Sequence, residues 1–203
     1  MKILAIGRNY SEHNKELGNA VPQEPVVFMK PDSALLRANK PFFIPDFSDE
    51  IHYETELIIK FNRLGKNICP KFAHRYFAEI GLGIDFTARD LQKRLKAEGK
   101  PWEVAKAFDQ SAAVGDFLPI TMFDDIQNID FHLNINGVTV QSGNSSQMIF
   151  PVAELIAHVS KYFTIKIGDL LFTGTPAGVG KVFVGDRLEG YISNIKIFDF
   201  NIK

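Results

Sequence analysis

Ile51-His-Tyr-Glu-Thr-Glu-Leu-Ile-Ile59 alternates with a period of two. As a strand it places Ile51, Tyr53, Thr55, Leu57 and Ile59 on one face and His52, Glu54 and Glu56 on the other, because successive Cβ atoms point to opposite sides of the pleat. Two carboxylates side by side repel, and a cation between them removes the repulsion. A third acid, Asp85, ends the run Ile80-Gly-Leu-Gly-Ile-Asp-Phe86. Glu54, Glu56 and Asp85 form an oxygen-only set, which suits Mg2+ or Mn2+ better than zinc. Taken alone, the same alternation also describes a solvent-facing polar stripe on an edge strand.

Outward from this stretch, extended segments outnumber helical ones. Residues 26–30 and 51–61 read as strands. Pro70 opens a short helix on which Phe72, Tyr76 and Ile80 recur at helical spacing, and a strand then runs to Asp85. Thr87 and Asp90 resemble a capping box, with Asp in place of Glu or Gln, and predict a helix to about Glu98. Gly99 closes that helix and Pro101 follows it. Residues 131–135 and 138–140 flank Asn136-Gly137, a pair that accepts the two positive φ angles of a tight hairpin turn. Ser145 or Ser146 leads into a helix over 151–163 with Val152, Leu155, Ile156 and Val159 inward. Strands are expected at about 169–173, 186–192 and 195–202. Strand and helix do not alternate regularly, so the pattern predicts an α+β domain dominated by mixed or antiparallel sheet.

Two glycine-rich runs imitate nucleotide motifs without meeting their requirements. Gly174-Thr-Pro-Ala-Gly-Val-Gly-Lys181 departs from a P-loop, with Val182 where Ser or Thr is needed. Gly81-Leu-Gly83 departs from the dinucleotide fingerprint, with Phe86 in the place of its third glycine.

The chain has 203 residues, 45% of them hydrophobic, with 18 Phe and a net charge of -1. That composition predicts one well-packed domain over 1–203 and offers no electrostatic case for nucleic acid or an anionic membrane. The lone Cys69 has no cysteine partner for a disulfide or a zinc site, which fits a reducing, cytoplasmic setting. No window reaches the roughly 18 apolar residues of a membrane helix, and the apolar run after Met1 is short for a signal peptide. The expected partners are small molecules or other copies of the chain.

Other residues invite chemistry. In Gly7-Arg-Asn-Tyr-Ser-Glu-His-Asn-Lys-Glu16 a helix would make His13 and Glu16 neighbours. A carboxylate against an imidazole fixes the tautomer and stabilises the imidazolium, so His13 becomes a candidate base; an exposed, solvated pair is the alternative. Lys30 follows Val26-Val-Phe-Met29, and Lys106 sits in Pro101-Trp-Glu-Val-Ala-Lys-Ala-Phe-Asp109. Each is either a surface lysine or a partly desolvated one suited to an anionic substrate. In the loop 174–180, backbone NH groups and the Thr175 hydroxyl can approach a carboxylate, or the segment is a plain connection.

Gly7-Arg-Asn-Tyr10, Phe28-Met-Lys-Pro31, Tyr53-Glu-Thr-Glu-Leu57, Asp85-Phe-Thr-Ala-Arg-Asp-Leu-Gln92, Gly99-Lys-Pro-Trp102, Lys106-Ala-Phe-Asp109 and Gly174-Thr-Pro-Ala-Gly-Val-Gly180 follow one another in an order that resembles the fumarylacetoacetate hydrolase superfamily. The resemblance runs from about residue 5 to about 190. It is nearest to the short branch of acylpyruvate hydrolases, oxaloacetate decarboxylases and related isomerases, without the N-terminal SH3-like domain of the long branch.

The resemblance implies a β-rich mixed β-sandwich roll, a homodimer, and one Mg2+ or Mn2+ held by Glu54, Glu56 and Asp85. It assigns His13 and Glu16 to a catalytic dyad on a lid spanning about 8–20, and Lys106 to a catalytic position. Arg8, Tyr10, Lys30, Arg89, Gln92 and Thr175 take substrate-lining positions. The implied reaction is hydrolysis of a carbon–carbon bond in acylpyruvates through a pyruvate enolate, with oxaloacetate decarboxylation open to the same site. An isomerase or decarboxylase of 2-oxo-dienedioates, or a non-catalytic protein that binds metal and small acids, is the alternative. Asp32 departs from the small polar residue that many relatives carry there, which would place an extra carboxylate near an anion site.

Overall fold

A computed structural model describes every residue except Leu17, Asn19 and Ala38. The parts of the expected lid at 17 and 19 therefore lie outside the described residues.

In chain order the strands are β1 (Ile3–Gly7), β2 (Val26–Lys30), β3 (Leu35–Arg37), β4 (Ile51–Tyr53), β5 (Thr55–Phe61), β6 (Phe77–Asp85), β7 (Thr87–Ala88) and β8 (Ala112–Pro119). They continue as β9 (Asp130–Ile135), β10 (Val138–Asn144), β11 (Leu170–Phe172), β12 (Gly180–Lys181), β13 (Arg187–Ile192) and β14 (Ile195–Asn201). The helices are α1 (Ser11–Glu16), α2 (Arg89–Ala97), α3 (Glu103–Lys106) and α4 (Val152–Tyr162). The fold is α+β and rich in strand, as the pattern predicted. None of these helices is long and apolar enough to cross a membrane.

A seven-stranded sheet has the order β2-β1-β11-β5-β6-β8-β3, and β10-β9-β13-β14 form an antiparallel sheet of four. The larger sheet is mixed: β1 runs parallel to β11 and β3 parallel to β8, while the other pairs are antiparallel. One core joins Leu57, Ile59, Ile80, Leu82 and Ile84 of the larger sheet to Phe131, Leu133, Leu188, Ile192 and Phe200 of the smaller. Val152, Leu155, Ile156 and Val159 of α4 belong to the same core. A second cluster, Ile3, Ala5, Ile58, Ala112, Leu170 and Phe172, lies on the opposite face. Along β5 the side chains therefore alternate between two buried layers, and Glu54 and Glu56 share the side of Ile58.

That placement corrects the edge-strand reading, since β5 lies between β11 and β6 and both glutamates are buried. The strand expected over 51–61 is also broken at Glu54. β4 pairs with β7 and β12 in a small third sheet, and the chain changes sheets at that residue. The break turns the Glu54 carbonyl to accept the amide of Asp85 at 2.8 Å, which joins the backbones of two of the acids.

Local chemistry accounts for most of the other boundaries. Asn136 and Gly137 have φ of 54° and 81°, as a two-residue hairpin requires. Gly99, at φ 64°, closes α2: its NH bonds to the Lys96 carbonyl and the NH of Lys100 to that of Leu95. The expected capping box at Thr87 and Asp90 does not form. Thr87 belongs to β7, and the Asp90 carboxylate accepts instead from the Ser48 hydroxyl (2.6 Å) and the amides of Asp49 and Leu91. Pro70 opens a 3-10 turn that ends at Arg75, so Ile80 is a strand residue rather than a helical one. Ser145–Gln147 is a separate 3-10 turn capped by Asn144, and α4 starts after Pro151.

Candidate active site

Four elements meet around the acids. Glu54 stands at the β4–β5 break, Glu56 on β5, and Asp85 at the end of β6, where the following Phe86 is buried and stacked on Phe42 with ring centroids 3.9 Å apart. One carboxylate oxygen from each of Glu54, Glu56 and Asp85 lies within 4.8 Å of the others, and all three residues are buried. Sequence reasoning chose these three, and folding brings them together.

Basic residues close over the cluster. Lys106 Nζ, from α3, donates to Glu54 Oε2 (2.7 Å), Asp85 Oδ2 (2.7 Å) and Thr87 Oγ1 (2.6 Å). Arg89 Nη2 donates to Glu54 Oε1 at 2.5 Å, and its Nη1 to Gln92 Oε1 at 2.7 Å. Lys30 Nζ lies 2.7 Å from Asp85 Oδ1 and bonds to the Ser111 hydroxyl and the Lys106 carbonyl. Lys30 is thus a buried partner of Asp85, not a residue of the open cavity.

These surroundings separate the acids. Burial raises the Glu54 pKa, but Lys106, Arg89 and His13 outweigh it and hold the carboxyl well below the usual carboxylate range. Burial, then Asp85 and Glu54, push the Glu56 carboxyl well above that range, and Lys106 with the Gly174 amide offsets only part of the rise. Glu56 therefore carries its charge comfortably only beside an added cation. A buried set of oxygens with one acid short of positive charge fits a hard divalent ion.

His13 and Glu16 meet on α1 as predicted, with Nδ1 3.2 Å from Glu16 Oε2. The pair is not a fully solvated one: His13 is buried, while Glu16 is exposed and accepts the Gly178 amide at 3.1 Å. Burial lowers the His13 pKa, while Glu54 and the Glu16 hydrogen bond partly restore it. The Tyr10 hydroxyl is buried without a partner, and burial followed by Glu56 raises its pKa. In the glycine-rich loop it is the Gly174 amide that reaches an acid, Glu56 Oε2, at 2.7 Å. Thr175 spends its hydroxyl on the Thr55 carbonyl and receives Gln141 Nε2, so it braces the loop from behind. Asp32 is exposed at the start of a 3-10 turn and is not part of the cavity lining.

A cavity of about 30 Å3 opens beside Glu54, lined by Arg8, His13, Phe28, Arg89, Gln92, Lys96, Trp102 and Lys106. It has room for little more than one water, so a substrate enters only if side chains move. The larger concavity between Phe47, Leu91, Val104 and Phe108, about 760 Å3, contains none of the acids. Sequence reasoning missed Lys96 in the cavity, although Arg89, Gln92 and Lys96 fall at i, i+3 and i+7 and share one helix face.

Residues 2–202 match the fumarylacetoacetate (FAA) hydrolase C-terminal family. The chain belongs to it. The oxaloacetate tautomerase YcgM of Escherichia coli is 41% identical over 92% of this chain and 86% of its own. The mitochondrial oxaloacetate decarboxylase of Dictyostelium discoideum is 41% identical over 96% of this chain and 89% of its own. The fumarylpyruvate hydrolase of Pseudomonas aeruginosa, crystallised with Mn2+ and pyruvate, superimposes with a TM-score of 0.94 at 33% identity, covering 100% of this chain and 89% of that one. The resemblance seen in the sequence motifs and the mixed β-rich roll it implied are both borne out. Membership of the fumarylacetoacetate hydrolase family supports a metal-dependent enzyme.

Proposed function

We propose that this protein is a Mg2+- or Mn2+-dependent enzyme that works through the enolate of a short 2-oxo acid, with oxaloacetate as its first substrate. The observation that carries this reading is the burial of His13, hydrogen-bonded to Glu16, in a cation-lined cavity beside an oxygen-only acid cluster. Glu54, Glu56 and Asp85 would hold the ion, which when bound supplies a Lewis acid that offsets the charge of an enolate.

The chain's own residues account for the proton chemistry. Glu16 at Nδ1 sets the tautomer, leaving Nε2 of His13 as the base, and burial keeps the ring neutral. In keto–enol exchange Nε2 takes a proton from C3, the C–H electron pair forms the C2–C3 double bond, and the oxygen on C2 is protonated. Gln92 and Arg89, whose Nε is buried without a partner, would orient the acid by hydrogen bonds, and the Lys106 charge would offset that of the enolate. In decarboxylation the C3–C4 bond breaks as CO2 leaves, its electron pair forms the C2–C3 double bond of the pyruvate enolate, and C3 is then protonated to give pyruvate.

Hydrolysis of acylpyruvates, placed first by the sequence reading, becomes the second reading because two relatives of 41% identity carry oxaloacetate in their names. The dyad favours keeping it. His13 would take a proton from water as the oxygen attacks the distal carbonyl; the C3–C4 bond breaks, and pyruvate departs as its enolate. A homodimer and a lid over about 8–20 belong to the same proposal.

The deciding experiment follows the purified protein, with Mg2+, with Mn2+ and after EDTA treatment, on oxaloacetate and on acetylpyruvate. Enol absorbance reports tautomerisation, while pyruvate with CO2 or acetate reports cleavage. Metal-dependent turnover of oxaloacetate supports the first reading, and release of acetate from acetylpyruvate at a higher kcat/KM moves the assignment to the hydrolase. Inactivity on both substrates in all conditions overturns the proposal.

A further inference from the structure

The cavity beside Glu54 carries more positive charge than its acids neutralise. Arg89 and Lys106 are committed to Glu54, Asp85 and Gln92. Arg8 and Lys96 line the same cavity with no carboxylate partner among the described residues. Arg8 Nε is buried without a hydrogen-bond partner, on a backbone with φ of 64°. L side chains avoid that left-handed region, and a residue held there beside a cavity is a mark of a functional constraint.

Lys96 comes from α2, on the face it shares with Arg89 and Gln92, and its Nζ lies 5.2 Å from the centroid of the Trp102 ring. Its neighbours in sequence behave differently. Lys93 and Lys100 are exposed and pair with Glu50 and Glu98. Lys96 is half-buried, and burial followed by the Arg8 and Arg89 guanidinium groups pulls its pKa down to about 8. Unspent cations lining one small cavity repel, and an anion between them relieves the repulsion.

We infer that Arg8 and Lys96 together receive the distal carboxylate of a dicarboxylic 2-oxo acid, and so select diacids over acylpyruvates with a neutral tail. The inference rests on the 2-oxo acid reading above. Once side chains move to admit a four-carbon diacid, a keto-acid end directed at the acid cluster, Arg89 and Gln92 would leave the far carboxylate among the remaining lining residues, Arg8, Lys96 and Trp102. Arg8 offers a planar fork for two carboxylate oxygens and Lys96 a single charge, so the pair can hold one carboxylate from two sides.

The test compares wild type with Lys96→Met, Lys96→Arg and Arg8→Met, each loaded with Mn2+. KM and kcat are measured on oxaloacetate and on acetylpyruvate, and calorimetry gives the Kd of oxalate, which has no distal carboxylate. Lys96→Met should raise KM for oxaloacetate on the order of tenfold more than KM for acetylpyruvate, with kcat much less affected. Lys96→Arg should restore most of that loss. Arg8→Met should shift preference the same way, and thermal melting confirms that each variant is folded. Equal changes in KM for both substrates, or no change in either, overturn the assignment. If wild type binds neither oxalate nor oxaloacetate, the 2-oxo acid reading fails and this inference with it; oxalate binding that persists while Lys96→Met is without effect removes the inference alone.

Discussion

Lys106 Nζ donates to Asp85 Oδ2 at 2.7 Å. The same ammonium donates to Glu54 Oε2, so one lysine bridges two of the three acids that a divalent ion would use. Lysine and ion compete for the same negative potential. Burial lowers the Lys106 pKa, yet Asp85 and Glu54 more than compensate and raise it, which keeps the charge in place.

Replacing Lys106 by Met should therefore tighten Mn2+ binding several-fold while turnover falls, because the ion loses a competing cation and the enolate loses a charge beside it. The metal-free variant should be less stable by about 3–5 kcal/mol, the usual consequence of leaving buried charges unpaired. Calorimetric titration with Mn2+ and denaturant unfolding check both signs. Weaker Mn2+ binding would show that Lys106 supports the ion rather than competing with it.

Glu56→Gln keeps an acceptor for the Gly174 amide but removes a charge that burial, Asp85 and Glu54 disfavour. The folded pKa of Glu56 lies above its unfolded value. Its contribution to stability is thus fully present below the ordinary carboxylate range and is lost as pH rises through the raised value. Without metal, the Gln variant should be at least as stable as wild type at neutral pH and should lose that slope, while its Mn2+ affinity drops by an order of magnitude or more. Thermal melts between pH 4 and 8 with EDTA, beside a Mn2+ titration, test the pair of effects.

His13 works as a base only when neutral, and burial lowers its pKa. The acid limb of kcat/KM should therefore fall below the ordinary imidazole value of about 6.5. Because Glu16 raises the His13 pKa, Glu16→Gln should move that limb to still lower pH and reduce the maximum. His13→Ala should remove activity and leave Mn2+ binding within a few-fold of wild type. A limb that does not move in the Glu16 variant would assign the titration to another group.

A Cβ added at Gly83 would press into the Ala113 carbonyl and the end of the Ile58 side chain. Gly83 pairs with Glu56 across β5 and β6, in the middle of the larger sheet. Gly83→Ala should destabilise the protein by about 1–3 kcal/mol through overpacking and weaken the metal site with it. Chemical denaturation measures the first effect and Mn2+ affinity the second. An unaltered midpoint would mean that β8 yields freely.

Some of this protein is legible along the chain because the physics is local. The Asn136-Gly137 turn, the close of α2 at Gly99 and the shared face of Glu54 and Glu56 all depend on backbone preferences or on the strand period. The motif order pointed to the fumarylacetoacetate hydrolase family and named the residues that the fold gathers around one cluster. Where local signals failed, long-range contacts had overridden them. Thr87 and Asp90 carry capping chemistry, yet pairing with β4 draws Thr87 into a sheet and Ser48 captures Asp90. β1 and β8 were not anticipated: Ile3–Ile6 and Ala112–Gly115 are buried throughout, so they show none of the alternation that marks a half-exposed strand.

The sequence by itself determined which acids share a face, where the chain turns and which family it belongs to, since each rests on neighbours in the chain or on ordered motifs. Only the tertiary structure decided what surrounds each charge. It buried Lys30 against Asp85, spent the Thr175 hydroxyl on the Thr55 carbonyl, broke the strand at Glu54 and brought Lys96 and Arg8 to one cavity. Charges act through space and through the solvent they lose on burial, and neither distance nor burial is written in the order of residues.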